Sequence, residues 1–197
     1  MTFGTPLVKD RIMEHKGTKT IETERLLLRV FRLDDIEAAF KNWTSDSRVT
    51  EFLRWPTHTD ISMTERIIKE WIQESDNPDF YQWAIVLKEI NEPIGTISVV
   101  GKNESLNILH IGYCIGSKWW NRGITSEALS AILPYLFEEV GVNRIESQHD
   151  PNNPYSGSVM KKCGLTYEGT LRQADFNNKG IVDACVYSIL KSEWKYR

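Results

Sequence analysis

The segment over residues 108–128 constrains the fold more than any other part of this 197-residue chain. Side chains alternate between two faces from Ile108 to Ile115, which predicts a β-strand. A short polar turn follows at residues 121–123, and after it apolar residues recur at helical spacing. A strand, an amide-rich turn and a helix N-terminus favour an anion, most naturally a pyrophosphate, because exposed N–H groups, Arg122 and the helix dipole all attract negative charge.

Two common nucleotide-binding loops are excluded by the sequence. The chain has no GxxxxGKS/T phosphate loop and no GxGxxG dinucleotide turn. The predicted anion site therefore belongs to a ligand of another kind.

Residues 120–125 resemble the pyrophosphate-binding signature of the Gcn5-related N-acetyltransferase superfamily, which has Gln, Arg or Trp first, Gly fourth, and Gly or Ala sixth. Trp120 and Gly123 match this pattern, and Thr125 departs from it at the sixth position. The Thr125 hydroxyl can bond a phosphate oxygen, whereas its side chain also narrows the approach to the turn. The sequence leaves these two effects on coenzyme affinity open.

Other segments resemble the ribosomal-protein N-alpha-acetyltransferase (RimJ/RimL-type) branch of that superfamily, and they occur in the same order. Residues 23–29 look like its first strand. Residues 153–165 resemble its segment with the pattern N-x-x-S-x-x-V-[LM]-x-K-x-G-[FL]. Residues 167–176 and 183–190 look like its closing hairpin. The resemblance covers roughly residues 21–195. It implies an N-acetyltransferase domain over residues 21–197 and an N-terminal extension over residues 1–20.

The fold that this resemblance implies is a single α/β domain. It has a mixed, twisted sheet of about seven strands flanked by helices, with the coenzyme at the strand-to-helix turn around residue 122. A chain of 197 residues with 41% hydrophobic residues is long enough to bury such a core.

Helix boundaries follow from local signals. Asp34 is a candidate N-cap for a first helix, and residues 62–65 (Ser-Met-Thr-Glu) predict a capping box for a second. Pro134 lies inside the helix after the signature turn, where it should remove a hydrogen bond and bend the axis.

Charge and composition narrow the possible partners. A net charge of −3 gives no basic footprint for nucleic acid, and no run approaches the ~18 apolar residues of a membrane span. The N-terminus lacks the apolar core of a signal peptide, so we expect a cytoplasmic protein, either a monomer or a homodimer. The three cysteines favour buried thiols, and the four histidines show no metal-ligand spacing, so no metal is expected.

The resemblance implies acetyl-coenzyme A as the cosubstrate and assigns it a set of binding residues. These are Tyr113, Cys114 and Ile115 on the strand, Asn121, Arg122, Gly123, Ile124, Thr125 and Ser126 at the turn, and Asn153, Ser156 and Lys162 on the following helix. A backbone N–H in the strand at Tyr113–Ile115 would polarise the acetyl carbonyl.

The resemblance also places Ser156 near the coenzyme sulfur, where its hydroxyl would donate to the leaving thiolate. Ser156 can equally serve as the N-cap of its helix, and the two roles are compatible.

For the proton acceptor, the resemblance points to Asp175, which stands one methylene shorter than the family's glutamate. Glu146 and Glu168 are rival bases, although Glu146 can as well pair with Arg144 or Arg172. Tyr113 and Tyr155 are alternative acids.

We therefore expect an N-acetyltransferase that acts on a primary amine, most naturally the α-amino group of a protein N-terminus. A small-molecule amine is the alternative acceptor, and a non-catalytic acyl-coenzyme A binding module is a third possibility. Residues 49–58 are expected either to form the lip of the acceptor site or to cap the core with aromatic rings.

Overall fold

The structure of the protein is a computed structural model, and residues 13–194 are described. The strands are β1 (Ile21–Glu22), β2 (Leu26–Arg29), β3 (Gln82–Leu87), β4 (Glu92–Asn103), β5 (Ile108–Ile115), β6 (Arg144–His149), β7 (Thr166–Asn177) and β8 (Gly180–Leu190). The helices are α1 (Ile36–Ala39), α2 (Ser47–Thr50), α3 (Ile61–Glu74), α4 (Ile124–Pro134), α5 (Pro154–Lys162) and α6 (Lys191–Trp194).

All eight strands belong to one sheet, in the order β1-β2-β3-β4-β5-β6-β8-β7. The predicted mixed α/β fold is confirmed, with one strand more than the seven expected. The additional strand is β1, whose two residues Ile21 and Glu22 pair with Leu28 and Leu27 of β2.

One parallel pairing interrupts an otherwise antiparallel sheet. β5 and β6 pair only through Ile108 with Arg144, Leu109 with Ile145, and His110 with Glu146. Beyond these residues β5 stays paired with β4 as far as Ile115, while β6 stays paired with β8 as far as His149. The two strands therefore separate into a split at the centre of the sheet.

Helices cover both faces of the sheet, which follows from the period-2 burial of its central strands. Trp83 and Ile85 of β3 pack into the cluster beneath α4, whereas Ala84 and Val86 pack with Trp43 and α3 on the opposite face. Every residue of β3 is buried, as expected for a strand covered on both sides. Within residues 13–194, no helix is long and apolar enough to cross a membrane.

The helix after the signature turn changes its hydrogen-bonding pattern at the predicted position. Regular α-helical bonding ends at Pro134, and residues Tyr135–Val140 continue with π-helical bonds to Gly141. Pro134 has no N–H to donate to the preceding turn, which accounts for the change.

Part of the predicted N-terminal extension packs against the domain. Residues 1–12 lie outside the described part, but Met13 is buried in the core and Glu14 N donates to Val140 O at 2.8 Å. The Tyr135 hydroxyl donates to Gly17 O at 2.7 Å, and Trp83 Nε1 donates to Lys19 O at 2.7 Å.

Two predicted helix starts are wrong by one or two residues. The predicted capping box at Ser62 does not begin α3, because Asp60 is the N-cap and accepts a hydrogen bond from Ser62 N at 2.8 Å. Asp34 is not the cap of the first helix either. A 3-10 turn at Leu33–Asp35 precedes α1, and the Asp35 carboxylate accepts a hydrogen bond from Arg32 N at 2.8 Å.

A buried ion pair joins this first helical turn to the sheet. Arg29 donates from Nη1 and Nη2 to the two Asp35 carboxylate oxygens at 2.7 and 2.8 Å, and also to Val30 O at 2.9 Å. Both side chains are less than a tenth exposed. The paired charges satisfy each other in a place that water reaches poorly.

We predict that Asp35→Ala lowers the free energy of unfolding by about 3–5 kcal/mol, because it leaves the Arg29 guanidinium buried without a counter-charge. Asp34→Ala, a change of the exposed neighbouring carboxylate, is the matched control and should shift the value by less than about 0.5 kcal/mol. Urea denaturation of both variants measures the difference. Equal losses in the two variants would contradict a specific role for the pair.

Candidate active site

The split between β5 and β6 opens into a cavity of about 560 Å³. Its walls are the end of β5, the turn before α4, the first turns of α5, and the segment after α2. Every residue predicted to bind the coenzyme lines this cavity except Arg122. Tyr155, predicted as an alternative acid, also lines it, as do Trp119 and Val159, which the sequence prediction missed.

The turn before α4 has the backbone conformation of an anion-binding site. Asn121 and Gly123 both have left-handed backbones, with φ of 60° and 73°, and Gly123 is the N-cap of α4. Left-handed residues in a turn direct successive N–H groups toward one side, where the positive end of the helix dipole adds to their attraction for an anion. Thr125 and Ser126 follow in the first turn and also line the cavity.

Arg25 rather than Arg122 supports this turn. The Arg122 side chain does not line the cavity within the described part of the chain, and its carbonyl accepts a hydrogen bond from Arg25 Nη1 at 3.0 Å. Arg25 also donates from Nε to Glu127, in the first turn of α4, at 2.7 Å. Burial raises the pKa of Glu127, but hydrogen bonds from Thr23 and Arg25 outweigh it and lower that pKa. Arg25 thereby neutralises an anion that would otherwise repel a phosphate at the turn.

Tyr113 and Ser156 form a hydroxyl pair across the split. Ser156 Oγ donates to Tyr113 Oη at 3.1 Å, and Tyr113 Oη donates to the Ser156 carbonyl at 2.9 Å. Burial raises the pKa of Tyr113, so this phenol remains protonated at neutral pH. Both residues line the cavity.

Ser156 does not cap its helix, contrary to the second of its two predicted roles. α5 begins at Pro154, its N-cap is Asn153, and Ser156 N donates to Asn153 O at 3.2 Å. The Ser156 hydroxyl is turned toward Tyr113 instead. The sequence prediction began this helix at Ser156, because it did not use Pro154 as a signal for the first helical position.

The three carboxylates predicted as proton acceptors are each paired with an arginine. Asp175 accepts hydrogen bonds from Arg54 Nε at 2.9 Å, Gln148 Nε2 at 2.6 Å and Phe176 N at 2.8 Å. Glu146 pairs with Arg144 Nε at 3.1 Å, and Glu168 pairs with Arg144 Nη2 at 2.5 Å.

These contacts favour the charged form of Asp175 and of Glu168. Burial raises the pKa of Asp175, but the hydrogen bonds from Gln148, Phe176 and Arg54 together lower it. The hydrogen bond from Arg144, aided by Ser188, lowers the pKa of Glu168 to about 2. A carboxylate stabilised in this way is a weak proton acceptor.

Residues of the segment 49–58 line the cavity or pack on the core, and its role as the lip of an acceptor site stays a prediction. Val49, Phe52 and Leu53 line the cavity, whereas Trp55 packs against the core on the α3 face. The same segment is fastened to the turn between β7 and β8. Asn178 Nδ2 donates to Thr50 O and to Trp55 O, both at 2.8 Å.

A surface cluster away from the split brings one imidazole and two carboxylates together. His15, Asp79 and Glu104 place one atom each within 4.8 Å of one another. Lys102 pairs with Asp79 at 2.7 Å and with Glu104 at 3.4 Å, so an ammonium group already balances these carboxylates.

A mixed sheet split beside its single parallel pairing, with an anion-binding turn at the start of the next helix, defines a coenzyme A-dependent N-acyltransferase. Residues 25–166 match the acetyltransferase (GNAT) domain family. The chain belongs to that family and is an acetyl-coenzyme A-dependent N-acetyltransferase.

Relatives agree with this assignment. The chain is 30% identical over 176 residues to the uncharacterized N-acetyltransferase p20 of Bacillus licheniformis, covering 89% of this chain and 98% of p20. It is 28% identical over 149 residues to the ribosomal-protein-serine acetyltransferase of Escherichia coli (strain K12), covering 75% of this chain and 79% of that enzyme. The crystal structure of a GNAT-family acetyltransferase from Bacillus anthracis superposes with a TM-score of 0.77 at 30% identity, covering 89% and 100% of the two chains.

We predict that Gly123→Val weakens coenzyme A binding at least about tenfold, because a β-branched residue disfavours the left-handed backbone on which the turn depends. Isothermal titration calorimetry with coenzyme A measures the change. Gly141→Val is the matched control, since Gly141 also has a positive φ, of 86°, but lies at the far end of the same helical segment. An unchanged affinity in Gly123→Val, or an equal loss in Gly141→Val, would contradict this site.

Proposed function

We propose that this N-acetyltransferase acts on the α-amino group of a protein N-terminus, in the manner of the ribosomal-protein acetyltransferases. The observation that carries the proposal is the pairing of Asp175, Glu146 and Glu168 with arginines. Because hydrogen bonds lower the pKa of Asp175 and of Glu168, these two carboxylates are weak bases, and the site suits an amine that loses its proton easily.

The intrinsic pKa values of amines show how large this effect is. An α-amino group with a pKa of about 7.8 is roughly a quarter neutral at pH 7.4, whereas a lysine side chain near 10.4 is neutral in about one molecule in a thousand. Deprotonating the lysine costs about 4 kcal/mol at this pH, against under about 1 kcal/mol for the α-amine. The α-amine therefore needs far less help from the protein.

The residues of the cavity divide into those that hold the coenzyme and those that act on its thioester. The N–H groups of the turn at residues 121–125 would hold the pyrophosphate, with Lys162 on α5 as a further cation of the cavity wall. Acetyl-coenzyme A supplies the activated acetyl group when bound. Ser156 would donate its hydroxyl proton to the departing sulfur, and Tyr113 would orient the Ser156 side chain.

We predict that Ser156→Ala lowers kcat by about 10²-fold, a loss typical of one transition-state donor, and leaves coenzyme A affinity within a few-fold. Thermal unfolding should change little, because the Ser156 hydroxyl makes a single partly buried hydrogen bond and does not cap α5. Ser130→Ala, on α4 outside the cavity, is the control and should keep full turnover. An unaltered kcat in Ser156→Ala would show that the Ser156 hydroxyl does not donate to the departing sulfur.

Two matched peptides test the acceptor. One begins with a free serine, the residue in the name of the Escherichia coli relative, and contains no lysine; the other is N-terminally blocked and contains one lysine. We expect kcat/KM for the first to exceed that for the second by at least about 10²-fold, from the difference in neutral amine. Thiol release and the mass of the product measure both reactions.

Faster acetylation of the lysine peptide would overturn the proposed acceptor. A small-molecule amine remains the alternative acceptor, and a panel of polyamines and amino acids in the same assay tests it. Activity with those compounds alone would show that the lip at residues 49–58 does not serve a polypeptide.

A further inference from the structure

We infer that His110 accepts the proton that the acceptor amine loses, and that Glu146 holds its imidazole ring in place. The inference rests on the proposed transfer to an α-amine and names the group that performs its proton step. It replaces the carboxylate roles expected from the sequence with a neutral base.

The position of His110 in the sheet supports this role. His110 and Glu146 form the last residue pair of the parallel ladder, so they lie where β5 and β6 begin to separate. The next residues of the two strands are joined by a side chain, because Ser147 Oγ of β6 donates to Ile111 O of β5 at 2.8 Å. This hydrogen bond marks the narrow end of the split. His110 is therefore the titratable side chain of β5 at the base of the split.

His110 lies on the same face of β5 as a residue of the cavity wall. His110, Gly112 and Cys114 share one face of β5 because side chains alternate along a strand, and Cys114 lines the cavity. Arg54, whose charge acts on His110, belongs to the segment whose Phe52 and Leu53 also line the cavity. The acceptor amine would therefore approach His110 from the side of this segment.

The surroundings of His110 favour a neutral ring. Its Nδ1 lies 3.6 Å from Glu146 Oε1, and the side chain is 21% exposed. The charged groups that face it are Glu146 on β6, Asp175 on β7 and Arg54 of the lip, while β4 places Gly101 opposite it. Burial lowers the pKa of His110, and Arg54 lowers it further, against the opposing effect of Glu146 and Asp175. At pH 7 the imidazole is mainly neutral and able to take a proton.

The pairing with Glu146 orients the ring for this task. With Nδ1 directed at the Glu146 carboxylate, Nε2 is the nitrogen that faces away from it and is available to the amine. Glu146 is in turn held by Arg144 Nε at 3.1 Å. Glu146 is thus a positioning residue that stabilises the imidazolium once it forms.

The proton and bond changes balance in one turnover. The amine nitrogen forms a bond to the acetyl carbon, and the bond between that carbon and the coenzyme sulfur breaks. The charged amine first gives one proton to His110 Nε2, directly or through one water, and its neutral nitrogen then attacks. The sulfur takes a proton from the Ser156 hydroxyl, and the second proton of the nitrogen replaces that hydroxyl proton through solvent. The proton on His110 is released to solvent before the next turnover.

The test compares the pH dependence of kcat for the wild-type protein and His110→Gln, with the free-serine peptide as acceptor. We expect His110→Gln to lose about 10²-fold in kcat at pH 7, and under about tenfold above pH 9, where the amine is neutral without help. Coenzyme A affinity by calorimetry should stay within a few-fold and shows that the variant is folded. His15→Gln, which changes a histidine of the surface cluster with Asp79 and Glu104, is the matched control and should keep wild-type activity.

Glu146→Gln separates the positioning residue from the base. Glu146→Gln removes the carboxylate that raises the pKa of His110, so the acid limb of the pH profile of kcat should move to lower pH. The loss of kcat should be smaller than in His110→Gln. A His110→Gln variant with wild-type kcat and an unchanged profile would overturn the inference. Loss of the acid limb in Asp175→Asn alone would transfer the role to Asp175. Wild-type protein that acetylates no peptide α-amine would instead overturn the proposed function.

Discussion

The site depends on three parallel residue pairs between β5 and β6. A parallel pairing requires a crossover connection, and here that connection is α4 with its π-helical continuation. Because the pairing stops at His110 and Glu146, the N-terminus of the crossover helix and the ends of both strands lie around one opening. This short ladder therefore positions the turn before α4, the hydroxyl pair of Tyr113 and Ser156, and His110.

Patterns that are local in sequence predicted most of the fold. Alternation in β5 and the helical spacing after Gly123 predict the central strand, the turn and the crossover helix. The helix starts were less accurate, because several capping residues stood near each boundary. Asp60 rather than Ser62 caps α3, and Asn153 rather than Ser156 caps α5. Only the geometry of the chain distinguishes such neighbours.

Contacts between distant segments could not be predicted. Arg25 belongs to the first-strand motif, yet it acts at residues 122 and 127, about a hundred positions further along the chain. Likewise, Asp175 matched a catalytic pattern, but its carboxylate is held by Arg54 and Gln148 from two other parts of the fold. The electrostatic character of a carboxylate depends on such partners, which no spacing within one segment reveals. For the same reason, the sequence around His110 gives no sign of its contact with Glu146.

The attachment of the lip to the β7–β8 turn affects how acceptor preference can change. Asn178 binds the backbone at Thr50 and Trp55, Lys179 pairs with Glu51 at 2.6 Å, and Arg54 pairs with Asp175. The wall of the proposed acceptor site is therefore built from two segments that lie more than a hundred residues apart in the sequence. A lip transplanted from a relative without its own hairpin turn would lose these attachments. New acceptor specificities in this scaffold should arise from paired changes in both segments, and swaps of one segment alone should mainly produce misplaced walls.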